Sequence, residues 1–357
     1  MGKVYNLAVV PGDFIGKEVV EEEMKVLKII AEQFGFAFKV TLYPHGGEYY
    51  IKTGELLSDS TLAELRGHDA IVFGAVGHPE LQKGEVEKGI LLKIRFGLDQ
   101  YINLRPSKLY AGVDAPIRKI HPGLPDDYEI TVVREGVGGL YKGIGSYDGV
   151  VARQEMNYTN AEVERILRYA YELARDKGQE LILGFKSNVL EYVSAQQWQP
   201  MFEKMGKKIY PEVLAKYAHI DALNGPMLIN SIPQESFVIV TGNMFGDVIT
   251  DLTASLFGGM GVGASACINP YGTSMFEPIH GSSPKDYGKG TVSPVAAILS
   301  GVLMLKNLGE EKAAKKLELS VVNVLKQGKI PDFTINSGVP TKQQTQYIME
   351  EIKKRTQ

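Results

Sequence analysis

Residues 242–251 read Gly-Asn-Met-Phe-Gly-Asp-Val-Ile-Thr-Asp and set two carboxylates, Asp247 and Asp251, four positions apart. On a helix these two side chains are neighbours on one face. Adjacent carboxylates repel, so the pairing suits a cation between them, and oxygen donors suit a hard divalent metal. Gly242 and Asn243, just before the helix, suit a close approach of backbone to a ligand. The competing reading of Asp-x-x-x-Asp alone is a solvated helix face with no role.

Basic and hydroxyl residues recur in a pattern that suits a metal-bound polycarboxylate. Arg95 lies on the helical stretch Leu91 to Arg95, Arg105 precedes Pro106, and Arg134 follows the strand-like Thr131 to Val133. Guanidinium groups bind carboxylates bidentately, so the three together suit a substrate with two carboxylates. Surface ion pairing is their ordinary alternative. Tyr141 follows the Gly-rich run Glu135 to Leu140, where a hydroxyl can serve as a proton donor or simply pack. Lys186 ends the apolar run Leu181 to Phe185. Strand ends in α/β sheets are where ligands bind, and a lysine there can act as a general base. His280 sits in a loop, Phe276 to Pro284, rich in turn formers and hydroxyls and suited to wrapping a nucleotide.

The elements that position these groups alternate between strand and helix. Leu7 to Pro11, Phe38 to Leu42, Asp69 to Gly74, Ile130 to Val133, Leu181 to Phe185 and Phe237 to Thr241 are strand-like. Glu18 to Phe34, Glu85 to Leu98, Asn160 to Lys177 (with Asn160 as N-cap), Pro294 to Leu308, Glu310 to Gln327 and Thr341 to Lys354 carry helical spacing. The pattern is α/β. The Gly-rich stretch Lys142 to Val151, between hairpin-like pieces, reads as a surface loop or as an arm that packs on a partner chain.

Bulk properties exclude several classes. The chain has 357 residues, 44% hydrophobic and 23% charged, with a net charge of −3, so no global field attracts nucleic acid or an anionic membrane. Cys267 is the single cysteine, which rules out an internal disulfide and fits a reducing cytoplasm. No leader peptide and no membrane-length apolar run are expected. The first strand leads into Pro-Gly-Asp-Phe-Ile-Gly at 11–16 rather than Gly-x-Gly-x-x-Gly, so a nicotinamide cofactor would bind outside the Rossmann pattern.

Taken together, the blocks at 11–16, 103–106 (Asn-Leu-Arg-Pro), 134–136 with Tyr141, 186–190 (Lys-Ser-Asn-Val-Leu), 242–251 and 276–282 (Phe-Glu-Pro-Ile-His-Gly-Ser) cover nearly the whole chain. The sequence resembles the metal-dependent, β-decarboxylating dehydrogenases of the isocitrate/isopropylmalate group. The resemblance implies a two-domain α/β fold with a mixed central sheet flanked by helices, not a classical Rossmann fold. Residues 1–101 plus 255–357 would form the large, cofactor-binding domain, and 102–254 the small domain with dimer interface and arm. It implies a cytoplasmic homodimer with shared active sites in a cleft between the domains, no nucleic-acid or membrane partner, and a 2-hydroxy diacid as substrate.

By the same resemblance, Arg95, Arg105 and Arg134 would bind the malate carboxylates. Asp221, from the other subunit, would join Asp247 and Asp251 on Mg2+ or Mn2+. Lys186, also in the other subunit's site, would assist removal of the hydroxyl proton, and Tyr141 would protonate the enolate left by CO2. Asn188, Glu277, His280, Gly281, Ser282, Ser283, Lys285, Asp286 and Ser293 would meet the cofactor. Glu87, Leu91 and Leu92 are similar to the isopropylmalate branch, where they line the pocket for an apolar substituent. The implied reaction is oxidation and decarboxylation of 3-isopropylmalate in leucine biosynthesis. Tartrate/D-malate and homoisocitrate-type dehydrogenases are the alternatives within the family, and a non-catalytic regulatory subunit is the alternative outside enzymes. Three positions depart from the pattern. Phe14 replaces a glycine, Ser293 an asparagine, and Lys285 stands where NAD-using relatives carry Asp. NAD is the expected cofactor, with NADP as the alternative that Lys285 favours unless Asp286 takes over ribose recognition.

Overall fold

The computed structural model describes residues 2–333 and 337–354. Among them the strands are β1 (Val4–Gly12), β2 (Ala37–Leu42), β3 (Ala70–Ala75), β4 (Ile102–Lys108), β5 (Glu129–Glu135), β6 (Gly145–Tyr147), β7 (Ala152–Gln154), β8 (Glu180–Phe185), β9 (Ala215–His219), β10 (Phe237–Thr241), β11 (Ala264–Ile268) and β12 (Ser274–Pro278). The chain divides into two compact units. Unit 1 comprises Met1–Gln100, Tyr110–Asp114 and Gly258–Gln357, and unit 2 comprises Tyr101–Leu109 and Ala115–Phe257.

In unit 1 the strands follow the order β2-β1-β3-β12-β11. All neighbours run parallel except β11, which is antiparallel to β12. β3 is buried at every position, as expected of a parallel strand covered on both faces. Helix Val295–Asn307 is apolar around most of its circumference and packs among β11, β12 and helix Ile15–Phe34. Ala8, Val10, Ile71, Phe73, Ile90, Ile94 and Met275 belong to one core cluster.

In unit 2 the order is β4-β5-β10-β8-β9. β5, β10, β8 and β9 are mutually parallel and β4 is antiparallel to β5. Their core gathers Tyr128, Ile130, Val132, Ile182, Phe237, Ile239 and Ile249. Parallel strands place all their carboxyl ends on one edge. Arg134, Thr241, Phe185 and His219 therefore lie at one end of this sheet, and the candidate catalytic groups follow from there.

Several sequence expectations are corrected. The N-cap of helix Asn160–Lys177 is Thr159, which closes a capping box with Glu162. The expected single helix over 85–98 is a π-helical segment, Glu87–Leu92, followed by an α-helix, Lys93–Gly97. Arg134 lies within β5 rather than after it, and Arg105 within β4. Phe276 to Pro278 complete strand β12, so the loop expected to wrap a nucleotide starts only after them. The Gly-rich stretch forms the two-stranded ribbon β6-β7, with Tyr147 and Val150 well exposed. No helix among the described residues is long and apolar enough to cross a membrane.

Candidate active site

Unit 2 collects five of the expected site residues around one helix. Asn243–Leu256 begins at Gly242, directly after β10, and sets Asp247 and Asp251 one turn apart on its open face. β4 and β5 lie beside it with Asn103 opposite Arg134 and Arg105 opposite Val132. Residues paired across strands share a face, so both arginines point to the same side. Arg134 is almost wholly buried, and its guanidinium donates to Asp247 Oδ1. Its Nε and Nη2 donate to Asn243 Oδ1 at 3.0 and 2.7 Å. Arg105 Nη1 donates to Thr250 Oγ1 at 2.9 Å and lies 3.7 Å from Asp247 and 4.0 Å from Asp251. The Tyr141 hydroxyl donates to the second oxygen of Asp247, and the Arg134 guanidinium carbon sits 5.0 Å from the Tyr141 ring centre. Burial, reinforced by the Asp247 carboxylate, pushes the Tyr141 hydroxyl above its ordinary range.

Behind this cluster, Gly246 and Tyr158 carried no functional signal of their own, and Asn243 has a different role from the expected one. Asn243 clamps Arg134 and donates its Nδ2 to the Gly138 carbonyl at 3.1 Å. The expected ligand approach at Gly242 and Asn243 is thereby corrected, because both turn inward. A Cβ on Gly242 would fall 2.9 Å from the Phe185 ring and from the Tyr158 hydroxyl. A Cβ on Gly246 would fall 2.4 Å from Arg134 Cγ, so that glycine lets the arginine stem pass. The Tyr158 hydroxyl accepts from Asn243 N at 2.9 Å and packs on Gly138 and Gly139, which fixes the turn leading to Tyr141.

Lys186 and Asp221 form a second group. Lys186 follows β8, Asp221 follows β9, and their side chains meet at 2.6 Å. The hydrogen bond from Lys186 holds the Asp221 carboxyl below the usual carboxylate range. Among the described residues, no three His, Cys, Asp or Glu side chains gather as a metal site, so Asp221 does not join Asp247 and Asp251 within one chain. Two carboxylates on an open helix face still suit Mg2+ or Mn2+, since Mg2+ is held by one or two carboxylates and keeps several waters. Asn188 lies exposed in the loop after Lys186.

The remaining candidates lie in unit 1. Ile15, Gly261, His280, Gly281, Ser283, Val292 and Ser293 line a cavity of about 470 Å³. His280 Nε2 is buried without a hydrogen-bond partner among the described residues, and burial pulls the ring below its ordinary pKa. An unmet ring nitrogen on a cavity wall fits a bound cofactor group. Ser282 Oγ donates to the Gly77 carbonyl at 2.8 Å, and Glu87 borders the same glycine. Asp286 is buried and engaged inside its loop, accepting from Ser283 Oγ at 2.6 Å and Lys289 Nζ at 3.0 Å, whereas Lys285 is exposed. Arg95 and Glu277 are both buried and pair at 2.5 Å. Leu91 packs against the unit 1 core, and Leu92 is half-buried outside that cluster.

Residues 6–352 match the family model for isocitrate/isopropylmalate dehydrogenase. The chain belongs to that family. It is 42% identical to 3-isopropylmalate dehydrogenase of Thermobifida fusca, over 91% of this chain and 92% of that protein. It is 44% identical to 3-isopropylmalate dehydrogenase of Corynebacterium kroppenstedtii, over 89% and 93%. Among solved structures it is similar to isocitrate dehydrogenase from Methylococcus capsulatus, with a TM-score of 0.85 and 30% identity over 98% of this chain and all of that one. The fold is the α/β fold of this family, and the chain is an enzyme of its oxidoreductase type.

Proposed function

We propose that this chain oxidises 3-isopropylmalate and decarboxylates it to 4-methyl-2-oxopentanoate with reduction of NAD, in the cytoplasm, as a step of leucine biosynthesis. The observation that carries this reading is Asp247, which joins Arg134, Arg105 and the Tyr141 hydroxyl in one cluster. The charges of Arg105, Arg134, Asp247 and Asp251 cancel. A divalent cation on the carboxylates leaves a surplus of two positive charges, which matches a dianionic malate.

The residues divide the work. Arg105 and Arg134 hold the substrate carboxylates, and Asn243 keeps Arg134 from turning away. Arg95 is the third arginine that the family resemblance assigns to the substrate carboxylates, and Glu277 steadies its guanidinium. Asp247 and Asp251, with Asp221 from a second copy, hold Mg2+ or Mn2+. That ion, when bound, supplies Lewis acidity toward the hydroxyl and the developing enolate oxygen. Lys186, as the neutral amine, accepts the hydroxyl proton, and Asp221 holds the ammonium that this transfer forms. Tyr141 retains its proton at neutral pH and delivers it to carbon after CO2 departs. A homodimer brings Lys186 and Asp221 of one copy to the Asp247 cluster of the other, and the ribbon β6-β7 supports it as an intersubunit arm. An isolated two-stranded ribbon is marginal in water, so its exposed Tyr147 and Val150 favour a partner.

Leu92, helped by Glu87 and Leu91, faces the isopropyl group, because an apolar wall leaves a third carboxylate desolvated and unpaired. The cavity in unit 1 takes the nicotinamide dinucleotide, with His280, Gly281, Ser283 and Ser293 lining it and Ser282, Asn188 and Glu277 as further assigned contacts. NAD is the first assignment. NADP is the second, favoured by one observation: Asp286 is satisfied inside its loop while Lys285 stays exposed. Rates on 3-isopropylmalate, D-malate, tartrate, homoisocitrate and isocitrate, each with both dinucleotides and Mg2+ or Mn2+, test the reading. Preference for 3-isopropylmalate is expected, and a rate confined to another substrate overturns it.

A further inference from the structure

Phe14 occupies a backbone conformation that belongs to glycine. Its φ is 46° and its ψ −119°, the first central position of a type II′ turn, closed by Gly16 N donating to Asp13 O at 2.9 Å. Strain of this kind in a bulky residue persists where the surroundings fix it, and it gathers at functional sites. Here the surroundings are two rings. Phe14 stacks on His78 at 5.1 Å between centroids and meets Tyr287 edge-on at 5.8 Å.

The three rings come from three loops that meet at one place. Asp13, fully buried beside Phe14, accepts from Gly47 N at 2.8 Å and Gly77 N at 3.0 Å. Ile15 N donates to the Ser282 carbonyl at 3.1 Å. Tyr287 ends the stretch that starts at His280, of which His280, Gly281 and Ser283 line the cavity. Gly288 N then donates to Glu18 at 2.9 Å. The stretch is thus tied at Ser282 and Gly288, and Phe14 grips it between those ties.

We propose that Phe14, with His78 and Tyr287, is an aromatic clamp that positions the loop from His280 to Tyr287 for the dinucleotide. It is a positioning group, acting through the loop rather than on the reacting atoms. The inference rests on the reading of the unit 1 cavity as the dinucleotide site. A loop ordered before binding costs less to order on binding, so the clamp raises affinity.

Phe14→Gly removes ring and strain together, and Tyr287→Leu removes the outer ring alone. Two readouts apply, on the full chain. Hydrogen exchange of the amides from Gly281 to Lys289, without dinucleotide, is expected to speed up in both variants. The Kd for NADH or NADPH, by fluorescence titration, is expected to rise about tenfold in Phe14→Gly and less in Tyr287→Leu. Phe14→Tyr, which keeps the stack, is expected to restore both. A ring needed only for packing would lower the Tm of Phe14→Gly and leave Kd unchanged, and that result overturns the proposal. Unchanged exchange overturns it as well. If the wild-type protein binds neither dinucleotide, the reading of the cavity fails, and the exchange experiment alone then decides whether the clamp exists.

Discussion

Lys186 Nζ lies 2.6 Å from Asp221 Oδ1, bridging the carboxyl ends of the neighbouring parallel strands β8 and β9. The pair is partly open to solvent. It stands apart from the Asp247 cluster in the sense that the three aspartates form no common metal group within one chain. Under the proposed function, this pair supplies a proton acceptor and an anionic metal ligand together, one half of a shared site.

Mixed oligomers test that division. Lys186→Met and Asp247→Asn are each expected to abolish turnover. Unfolded together and refolded, they form mixed dimers in which one site carries both defects and the other carries none. Random pairing in a two-fold dimer then restores about a quarter of the wild-type activity per site. No recovery in mixtures shown to contain heterodimers rejects the shared site.

Tyr141 offers a second test. Its hydroxyl is protonated at neutral pH and bonded to Asp247. Loss of a positioned proton donor costs about 10²- to 10⁴-fold in rate. Tyr141→Phe is expected to lose kcat in that range with KM for the hydroxy acid little changed. A variant that loses KM and keeps kcat would make Tyr141 a binding group.

Much of this site was legible in the sequence because its signals are local. Four-residue spacing placed Asp247 and Asp251 on one helix face, and short apolar runs placed Lys186 at a strand end. The clamp on Arg134 was not legible, since Asn243 is 109 positions away and only the sheet brings it near. Strand β9 escaped notice because it is half-exposed, and Ala-Lys-Tyr-Ala-His alternates too weakly to mark a face. In helix Glu85 to Leu98, the inward spacing of Ile90 and Ile94 was readable, but the π-helical widening was not, since six residues are too short a run for a changed turn size to show in the apolar spacing. Thr159 was missed by one position although Thr-Asn-Ala-Glu carries the capping-box signature.

Metal dependence should follow from the open helix face. EDTA is expected to remove activity and Mn2+ or Mg2+ to restore it. Asp251 is the more exposed carboxylate and, among the described residues, its side chain carries only the long contact to Arg105, so Asp251→Asn leaves the buried Arg134 pairing intact. Calorimetric titration with Mn2+ is expected to show affinity weakened by at least about tenfold, with Tm near wild type. Equal Mn2+ affinity in variant and wild type would remove Asp251 from the ligand set.

Lys285 bears on the choice of dinucleotide. Asp286 is occupied by Ser283 and Lys289, so a free carboxylate toward a ribose is missing at this corner among the described residues. Lys285→Asp supplies one. The ratio of kcat/KM for NAD over NADP is expected to rise by roughly tenfold or more, as an unpaired 2′-phosphate then meets a negative charge. A ratio unmoved by the substitution places the discriminating contact elsewhere.

Glu135 gives the fold a pH dependence. It is fully buried behind Arg134, and burial raises its pKa from 4.5 to about 7, against the opposing pull of amide hydrogen bonds from Gly138 and Val137. Between pH 4.5 and about 7 the native chain therefore holds a proton that the unfolded chain has released. Stability from this group is complete at low pH, falls as pH rises through that window, and is lost above it. A displacement of this size corresponds to on the order of 3 kcal/mol. Glu135→Gln cannot titrate, so the difference in unfolding free energy between wild type and variant should drift by about that amount, against wild type, from pH 5 to pH 8. Urea unfolding across that range measures the drift, and a constant difference would mean that Glu135 is ionised throughout. Because Glu135 also fixes the turn before Tyr141, the same window should appear in the Tm of the wild-type protein before it appears in its substrate affinity.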